Sequence, residues 1–470
     1  MTEPLRNFAY FFVVLLSFLG SAVSAQSAKP EDSRVMHGRA AVDQRNFEAA
    51  RQLFQGACHD KDPAARNLLA KMYLEGQGIV QDKARAKALF ETACKLGNGS
   101  ACSNLGFAFY QLSEESRDLA KANEYYRLAC DANVGSGCVS LGLNYKNGLG
   151  IQRSYNRSAE LFMRACNLHE MSGCFLLGNS YADGYGVEIN LTIANELYER
   201  ACKSGYPAAC TSLSYSYEKG LGFRADRGKA IALLQDACDL GHGDACRFLG
   251  GKYQFGEGLP VDLVKANSLF ERGCDLGAGG SCVTLGLSYK FGKGTAVDQV
   301  RSSKLYERAC HLKEFQGCTF LGRNYQTGEG VAQDFTRANA LFKLSCNGGD
   351  LGGCTALGTS YLRGIGTPAD IHEAAVLLNG ACDRGNMLGC HRLAIILEGS
   401  PDQVDRAAQL HKEACDNLEA EACAWLGRLY FFGRGVAKDT DAGVSLIRRG
   451  LKLLPSNELV KSISEETGIN

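Results

Sequence analysis

This 470-residue sequence predicts an all-α protein, an α/α solenoid of repeated helical hairpins stapled by disulfides. Three observations lead there. Cysteines stand at 94, 130, 166, 202, 238, 274, 310, 346 and 382, each step being 36 residues, and a second series follows eight residues behind each of them. A fixed period of this length marks a repeat architecture. Leu, Gly and Tyr recur three, four and seven places past the second cysteine in most copies, as in Leu141, Gly142, Tyr145 and again in Leu285, Gly286, Tyr289. That spacing lies on one face of a helix. Gly-x-Gly then follows, at Gly148/Gly150, Gly184/Gly186, Gly220/Gly222 and on to Gly364/Gly366, and ends the helix with residues that tolerate positive φ. Because it recurs at a helix end in copy after copy, it reads as a turn and not as a phosphate loop.

Each element of the unit has its own signal. On the first helix the stripe offers a large aliphatic, a glycine notch for a neighbouring backbone, and an aromatic, so a partner helix can approach closely. The second helix runs through segments such as Ala194 to Cys202, with Ala, Leu and an aromatic meeting on one face, as do Leu161, Phe162 and Ala165 or Leu341 and Phe342 in other copies. Two such stripes pack as a hairpin and leave a third surface for the next hairpin. Extending the period from a pair near Ser33 to Cys58 gives about twelve hairpins over residues 32–454, with 455–470 as a polar capping helix and tail.

Composition narrows the function. Glycine is abundant at 55 residues and proline scarce at 8, which excludes a collagen-like chain, and 45% hydrophobic content excludes a disordered one. Lys+Arg and Asp+Glu are equal at 51 each, so no global field draws the protein to nucleic acid or to a membrane surface. Residues Phe8 to Gly20 are apolar except for Ser17, and Val23 and Ala25 occupy the positions that precede a cleavage site. Residues 1–25 therefore read as a secretory signal peptide, although Glu3 offsets Arg6 in its leading segment and the charge-free run borders on spanning length. No later segment is apolar enough to span a bilayer. A secreted or periplasmic chain follows, in a compartment where thiols oxidise.

The first cysteine of each pair falls near the end of a second helix and the second opens the next first helix, across a short turn. The expected bridges are Cys94 to Cys102, Cys130 to Cys138, Cys166 to Cys174, Cys202 to Cys210, Cys238 to Cys246, Cys274 to Cys282, Cys310 to Cys318, Cys346 to Cys354, Cys382 to Cys390 and, after a step of 33, Cys415 to Cys423. Thiolate ligation of a metal is the competing reading, but the gap of seven and the absence of a common histidine position fit it poorly. Neither metal nor cofactor is expected. Cys58 is left as a free thiol, because Arg66 stands where its partner would be.

Leu-Gly-x-x-Tyr-x-x-Gly-x-Gly with Ala-Cys closing the second helix resembles the Sel1-like repeat, a branch of the tetratricopeptide-like solenoids. The 36-residue period with cysteines eight apart, as in Gly137-Cys138-Val139-Ser140-Leu141-Gly142 and Arg308-Ala309-Cys310, resembles more closely the secreted Helicobacter cysteine-rich proteins. The resemblance covers nearly all of the mature chain. It implies right-handed superhelical stacking, first helices lining a concave surface, and binding of proteins or cell-wall-related ligands. It also brings a weak penicillin-binding β-lactamase activity described for relatives. Two copies depart from the pattern: Gly-x-Gly is missing around Gln111 to Ala120, and the unit at Cys390 has Ala394 for the glycine and Leu397 for the tyrosine.

A serine β-lactamase needs Ser-x-x-Lys with Ser-Asp-Asn and Lys-Thr-Gly elsewhere. Ser216-Tyr217-Glu218-Lys219 is the only match to the first, and the other two motifs are absent. Tyr217 is moreover the repeat's own packing tyrosine, so no catalytic residue is assigned. His372-Glu373 begins like a zinc-protease helix, but Val376 replaces the second histidine. His411 replaces an aromatic at a packing position and reads as a core group. A groove reader is the favoured function, with contacts one place past each repeat glycine, at Asn179, Tyr215, Arg323 and Thr359, among Leu143, Gly251 and Leu287. The same variety is what unconstrained solvent positions show. The expected partner is thus a protein or peptide, with a cell-wall or β-lactam ligand next and a mitochondrial intermembrane-space assembly role as a weaker alternative.

Overall fold

A computed structural model describes residues 32–111 and 118–469. Among these every regular element is helical. The signal-peptide reading of residues 1–25 lies outside the described residues, as does most of the segment around Gln111 to Ala120.

The chain forms two compact units, residues 1–190 and 191–470. Among the described residues of the first, nine helices follow one another: α1 (Ser33–Asp43), α2 (Phe47–His59), α3 (Pro63–Glu75), α4 (Lys83–Lys95), α5 (Gly99–Gln111), α6 (Leu119–Asp131), α7 (Gly135–Asn147), α8 (Tyr155–Asn167) and α9 (Met171–Asp183). The second begins with α10 (Leu191–Lys203), α11 (Pro207–Lys219), α12 (Arg227–Asp239), α13 (Gly243–Phe255), α14 (Leu263–Asp275), α15 (Gly279–Phe291) and α16 (Gln299–His311). It continues with α17 (Phe315–Thr327), α18 (Phe335–Asn347), α19 (Leu351–Arg363), α20 (Ile371–Asp383), α21 (Met387–Leu397), α22 (Val404–Asp416), α23 (Ala420–Phe432), α24 (Thr440–Leu453) and α25 (Glu458–Glu466). Odd-numbered first helices and even-numbered second helices alternate. Within each unit, consecutive first helices also lie side by side, as α5 with α7 and α13 with α15 do.

Why these segments are helices is visible at their ends. Second helices open on an aspartate: Asp82, Asp226, Asp262, Asp298, Asp334 and Asp370 each accept, at Oδ1, the backbone N–H three residues on, at 2.8–3.0 Å. This satisfies one of the orphan donors of the first turn. The backbone N–H of Asp262 in turn donates to the Tyr253 carbonyl at 2.9 Å, closing the loop that Gly-x-Gly begins. First helices end on a left-handed glycine, such as Gly148 at φ 71°.

The glycine notch holds something other than expected. The sequence suggested that a neighbouring backbone fills it. Instead a ring from the same hairpin does: a Cβ on Gly142 would stand 2.7 Å from Phe162, which is fully buried. Backbone approach occurs at the second turn glycine, where a Cβ on Gly150 would meet the backbone and side chain of Leu119 in the preceding hairpin. One glycine therefore seats the hairpin's own ring, and the other sets the spacing to its neighbour.

A second-helix asparagine reaches the same turn. Asn123, Asn195, Asn267 and Asn339 donate from Nδ2 to the carbonyls of Leu149, Leu221, Lys293 and Ile365, at 2.8, 2.6, 2.8 and 2.7 Å. These asparagines recur every 72 residues, with Ala159, Ile231, Ser303 and Ala375 at the intervening copies, of which Ser303 donates from its hydroxyl to the Glu329 carbonyl at 3.1 Å.

Ten cysteine pairs, each eight apart, stand at disulfide distance with Cα separations of 4.5–4.7 Å. Each ties a second helix to the following first helix. At Cys58, Arg66 occupies the partner's place and its Nη2 donates to the Cys58 carbonyl at 3.2 Å, a hydrogen bond where other copies have a covalent link. The unit at Cys390 departs locally: α21 ends without a left-handed glycine, and a short 3-10 turn, Pro401–Gln403, replaces Gly-x-Gly. α25 is amphipathic rather than polar, with Val460 and Ile463 buried.

Candidate functional site

Along the second helices, neighbouring hairpins are pinned by ion pairs. Arg272 of α14 meets Asp239 of α12 at 2.7 Å, Arg308 of α16 meets Asp275 of α14 at 2.7 Å, and Arg164 of α8 meets Asp131 of α6 at 3.2 Å. Asp239 also accepts from Gln235, and these two bonds hold its carboxyl below the ordinary carboxylate range. Between α10 and α12 the corresponding positions carry Lys203 and Asp236, the charges being exchanged between the two helices. No ion pair joins them. Lys203 turns to Glu199 on its own helix at 2.8 Å, and Asp236 stays exposed.

The furrow left open between α10 and α12 is a cleft of about 760 Å³. Its floor is apolar, with Leu213, Leu233, Leu240, Tyr217 and the sulfurs of Cys202 and Cys210, and its rim is charged, with Glu199, Lys203, Asp236 and Asp239. A second cleft, of about 870 Å³, shares Tyr217 and Lys229 and is otherwise lined by Phe223, Arg224, Ala225, Asp226 and Arg227. Tyr217 stacks on Phe223 with centroids 4.7 Å apart, and Lys229 Nζ lies 5.2 Å from its ring centroid. Such a surface buries apolar side chains and pairs charges; it holds no nucleophile beside a base.

The sequence-derived positions fall elsewhere. Tyr215 is 56% exposed on α11 and Arg323 is exposed on α17, whereas Asn179 and Thr359 are half-buried, the Thr359 hydroxyl donating to the Thr355 carbonyl at 2.7 Å. Tyr215, Arg323 and Thr359 line neither cleft. The cleft between α10 and α12 escaped the sequence reading because its rim differs from the neighbouring copies by a charge exchange at two sites 33 residues apart; the signal was there in Lys203 and Asp236 against Asp239 and Arg272. Ser216 is buried within α11, and Glu218 beside it is engaged by Lys252 at 2.5 Å. Among the described residues no group of three or more His, Cys, Asp or Glu side chains is placed to hold a metal, and no helix is long and apolar enough to cross a membrane.

Comparison with known proteins agrees with this geometry. The Sel1 repeat profile matches ten segments: 63–98, 99–134, 135–169, 172–206, 207–242, 243–277, 281–313, 316–350, 352–386 and 420–453. Among solved structures, a protective antigen of uropathogenic Escherichia coli strains displaying an SLR fold is 22% identical, over 89% of this chain and 90% of that one, with a TM-score of 0.54. A Sel1 repeat protein of Oxalobacter formigenes is 23% identical over 64% of this chain and 88% of its own, with a TM-score of 0.47. Helicobacter pylori cysteine rich protein B is 30% identical over 28% of this chain and 93% of its own, with a TM-score of 0.24. The chain belongs to the Sel1 repeat family.

Proposed function

We propose that the protein is an exported, disulfide-stapled scaffold that holds an extended stretch of a partner polypeptide in the furrow between α10 and α12. The observation that carries this reading is the cleft of about 760 Å³ over an apolar floor beside the unbridged pair Lys203 and Asp236, against about 250 Å³ in the corresponding furrow between α14 and α16, where Arg308 and Asp275 are paired. Leu213, Leu233 and Leu240 would bury apolar side chains, at about 25 cal/mol per Å², while Lys203 and Asp236 supply charges of both signs to the partner. Export is supported by the apolar leader ahead of Ala25 and by twenty cysteines at disulfide distance, which fit an oxidising compartment.

The test is to pan a displayed random-peptide library on the oxidised chain and to measure the enriched peptides against the double variant Lys203→Asp/Asp236→Arg. That variant recreates the bridge seen between α12 and α14. Peptides with spaced apolar residues are expected to bind, and to lose tenfold or more in affinity when the furrow is closed. Equal binding to both forms, or no enrichment, would overturn the proposal. Turnover of a chromogenic cephalosporin that is lost in Ser216→Ala would replace it with a hydrolase.

A further inference from the structure

The hairpin of α21 and α22 and the following α23 enclose two imidazoles at positions where the other repeats carry no histidine. His391 and His411 are fully buried, and their Nδ1 atoms stand 3.0 Å apart. His411 Nε2 lies 2.9 Å from Oε1 of Glu398, just beyond α21. His391 Nε2 stands 3.5 Å from Glu421 Oε2, too far for a hydrogen bond, and is buried with no bonded partner. Glu421 is held from other sides, by Arg392 at 2.8 Å and by Asn457, the cap of α25, at 3.0 Å.

With both imidazoles neutral and Glu398 ionised, proton accounting leaves one arrangement of the pair. A hydrogen bond between two Nδ1 atoms needs one N–H and one lone pair. Facing the Glu398 carboxylate, a neutral His411 carries its proton on Nε2 and its lone pair on Nδ1. His391 then donates from Nδ1, and its Nε2 is left as a bare acceptor aimed at Glu421.

We propose that His391 Nε2 is a buried proton-uptake site that makes the α21–α23 joint an acid-sensitive release point at the C-terminal end of the chain. A solvent proton adds to the Nε2 lone pair, and the imidazolium formed competes with Arg392 for Glu421, whose other oxygen tethers the cap of α25. The charged groups around it are Glu398 after α21, Arg392 on α21, Glu419 and Glu421 at the start of α23, Arg428 on α23 with its partner Glu466 on α25, and Arg363 on α19. Burial is the main reason His391 protonates only at about 4, against an ordinary value of 6.5, with its neighbours His411 and Arg392 adding to it and Glu421 opposing. Once His391 is protonated, it and Arg392 hold Glu421 down to about 2, so the carboxylate stays ionised across that range.

The sign follows from linkage. In the opened joint the imidazole takes its proton near 6.5 and in the closed joint only near 4, so opening is favoured as pH falls between these values, by up to about 300-fold. The experiment uses the full oxidised chain. Imidazole nitrogen shifts are read by NMR at pH 7, with His391→Gln assigning the resonance, and amide exchange of α21–α23 is compared with α13–α16 from pH 7 to 4 after correction for intrinsic rates. A neutral His391 with its proton on Nδ1, and protection that falls in α21–α23 alone, are expected. Trp425, the only tryptophan, stacks on His411 at 6.0 Å and reports the same transition by fluorescence. Glu421→Gln removes the counter-charge and lowers the His391 midpoint, which keeps the test available should His391→Gln fail to fold. A proton on His391 Nε2 at pH 7, or acid loosening unchanged in both variants, would overturn the inference.

Discussion

Lys265 Nζ lies 4.4 Å from the ring centroid of Tyr253, twelve residues before it, and the same pairing recurs as Arg85 over Tyr73, Arg157 over Tyr145, Lys229 over Tyr217, Arg301 over Tyr289 and Arg337 over Tyr325. In these six hairpins the tyrosine near the end of the first helix is thus covered by a cation from the first turn of the second. Like the ring in the glycine notch, this contact stays inside one hairpin, so these hairpins carry some of their stability by themselves. Replacing Lys265 by Met keeps the stem and removes the charge; guanidinium unfolding of the oxidised protein is expected to show a loss of about 0.5–1 kcal/mol.

Gly286→Ala should destabilise although alanine is the better helix former. The added Cβ would stand 2.5 Å from Tyr306, and overpacking costs about 1–3 kcal/mol against a propensity gain of about 1 kcal/mol. Where the notch carries a side chain elsewhere, Ser214 is met by Leu234 and Ala394 by His411, smaller than the usual ring, while Ala70 keeps Phe90. Tyr306→Leu added to Gly286→Ala is therefore expected to recover part of the loss in the same unfolding measurement.

Asp298→Ala removes the acceptor of the Arg301 backbone N–H, a bond of 2.8 Å. A loss of about 0.5–2 kcal/mol is expected, and Asp298→Asn should restore most of it because its amide oxygen can accept the same bond. Circular dichroism during denaturant titration reads both.

Cys58 is half-buried and its thiol is pushed up to about 11, chiefly by burial. Alkylation of the native protein at pH 8 should run roughly 100-fold slower than for an ordinary thiol. Intact mass should show one label in denaturant without reductant and 21 after reduction. Two labels without reductant would mean an open bridge.

Tyr126 in α6 is buried, and its hydroxyl is pushed up to about 12 from 10.0, mostly by desolvation. A raised folded value means that the stabilisation is complete below pH 10 and is lost as pH climbs towards 12. Phenolate absorbance should show Tyr126 ionising last among exposed and half-exposed tyrosines, and Tyr126→Phe should flatten the alkaline decline of the first unit.

Much of the hairpin array was legible because its cause is local. Cysteines eight apart, Leu-Gly-x-x-Tyr and Gly-x-Gly each specify a helix end or a face, and those features repeat every 36 residues. The aspartate caps and the cations over the tyrosines keep the same beat and were passed over, because charged residues near a turn look solvated until the ring beneath them is seen. Gly142 was recognised as a notch but assigned the wrong occupant, since a sequence does not say whether a backbone or the Phe162 ring enters it. The α10–α12 furrow was not legible at all from one repeat. It arises from the comparison of Lys203 and Asp236 with their counterparts one hairpin later. His411 could be placed in the core by its register, but its bond to His391 crosses from one helix to another and has no local signature.

The asparagines that bind the turn carbonyls at Leu149, Leu221, Lys293 and Ile365 have a bearing on how such a chain can be lengthened or shortened. Because they recur every 72 residues, the smallest block whose removal keeps the alternation in phase is two hairpins. Excising one 36-residue copy would set two copies of the same kind side by side, whereas excising a pair would keep the alternation at the new junction. Tandem duplication of such a dimeric block would lengthen the array and keep the same pattern.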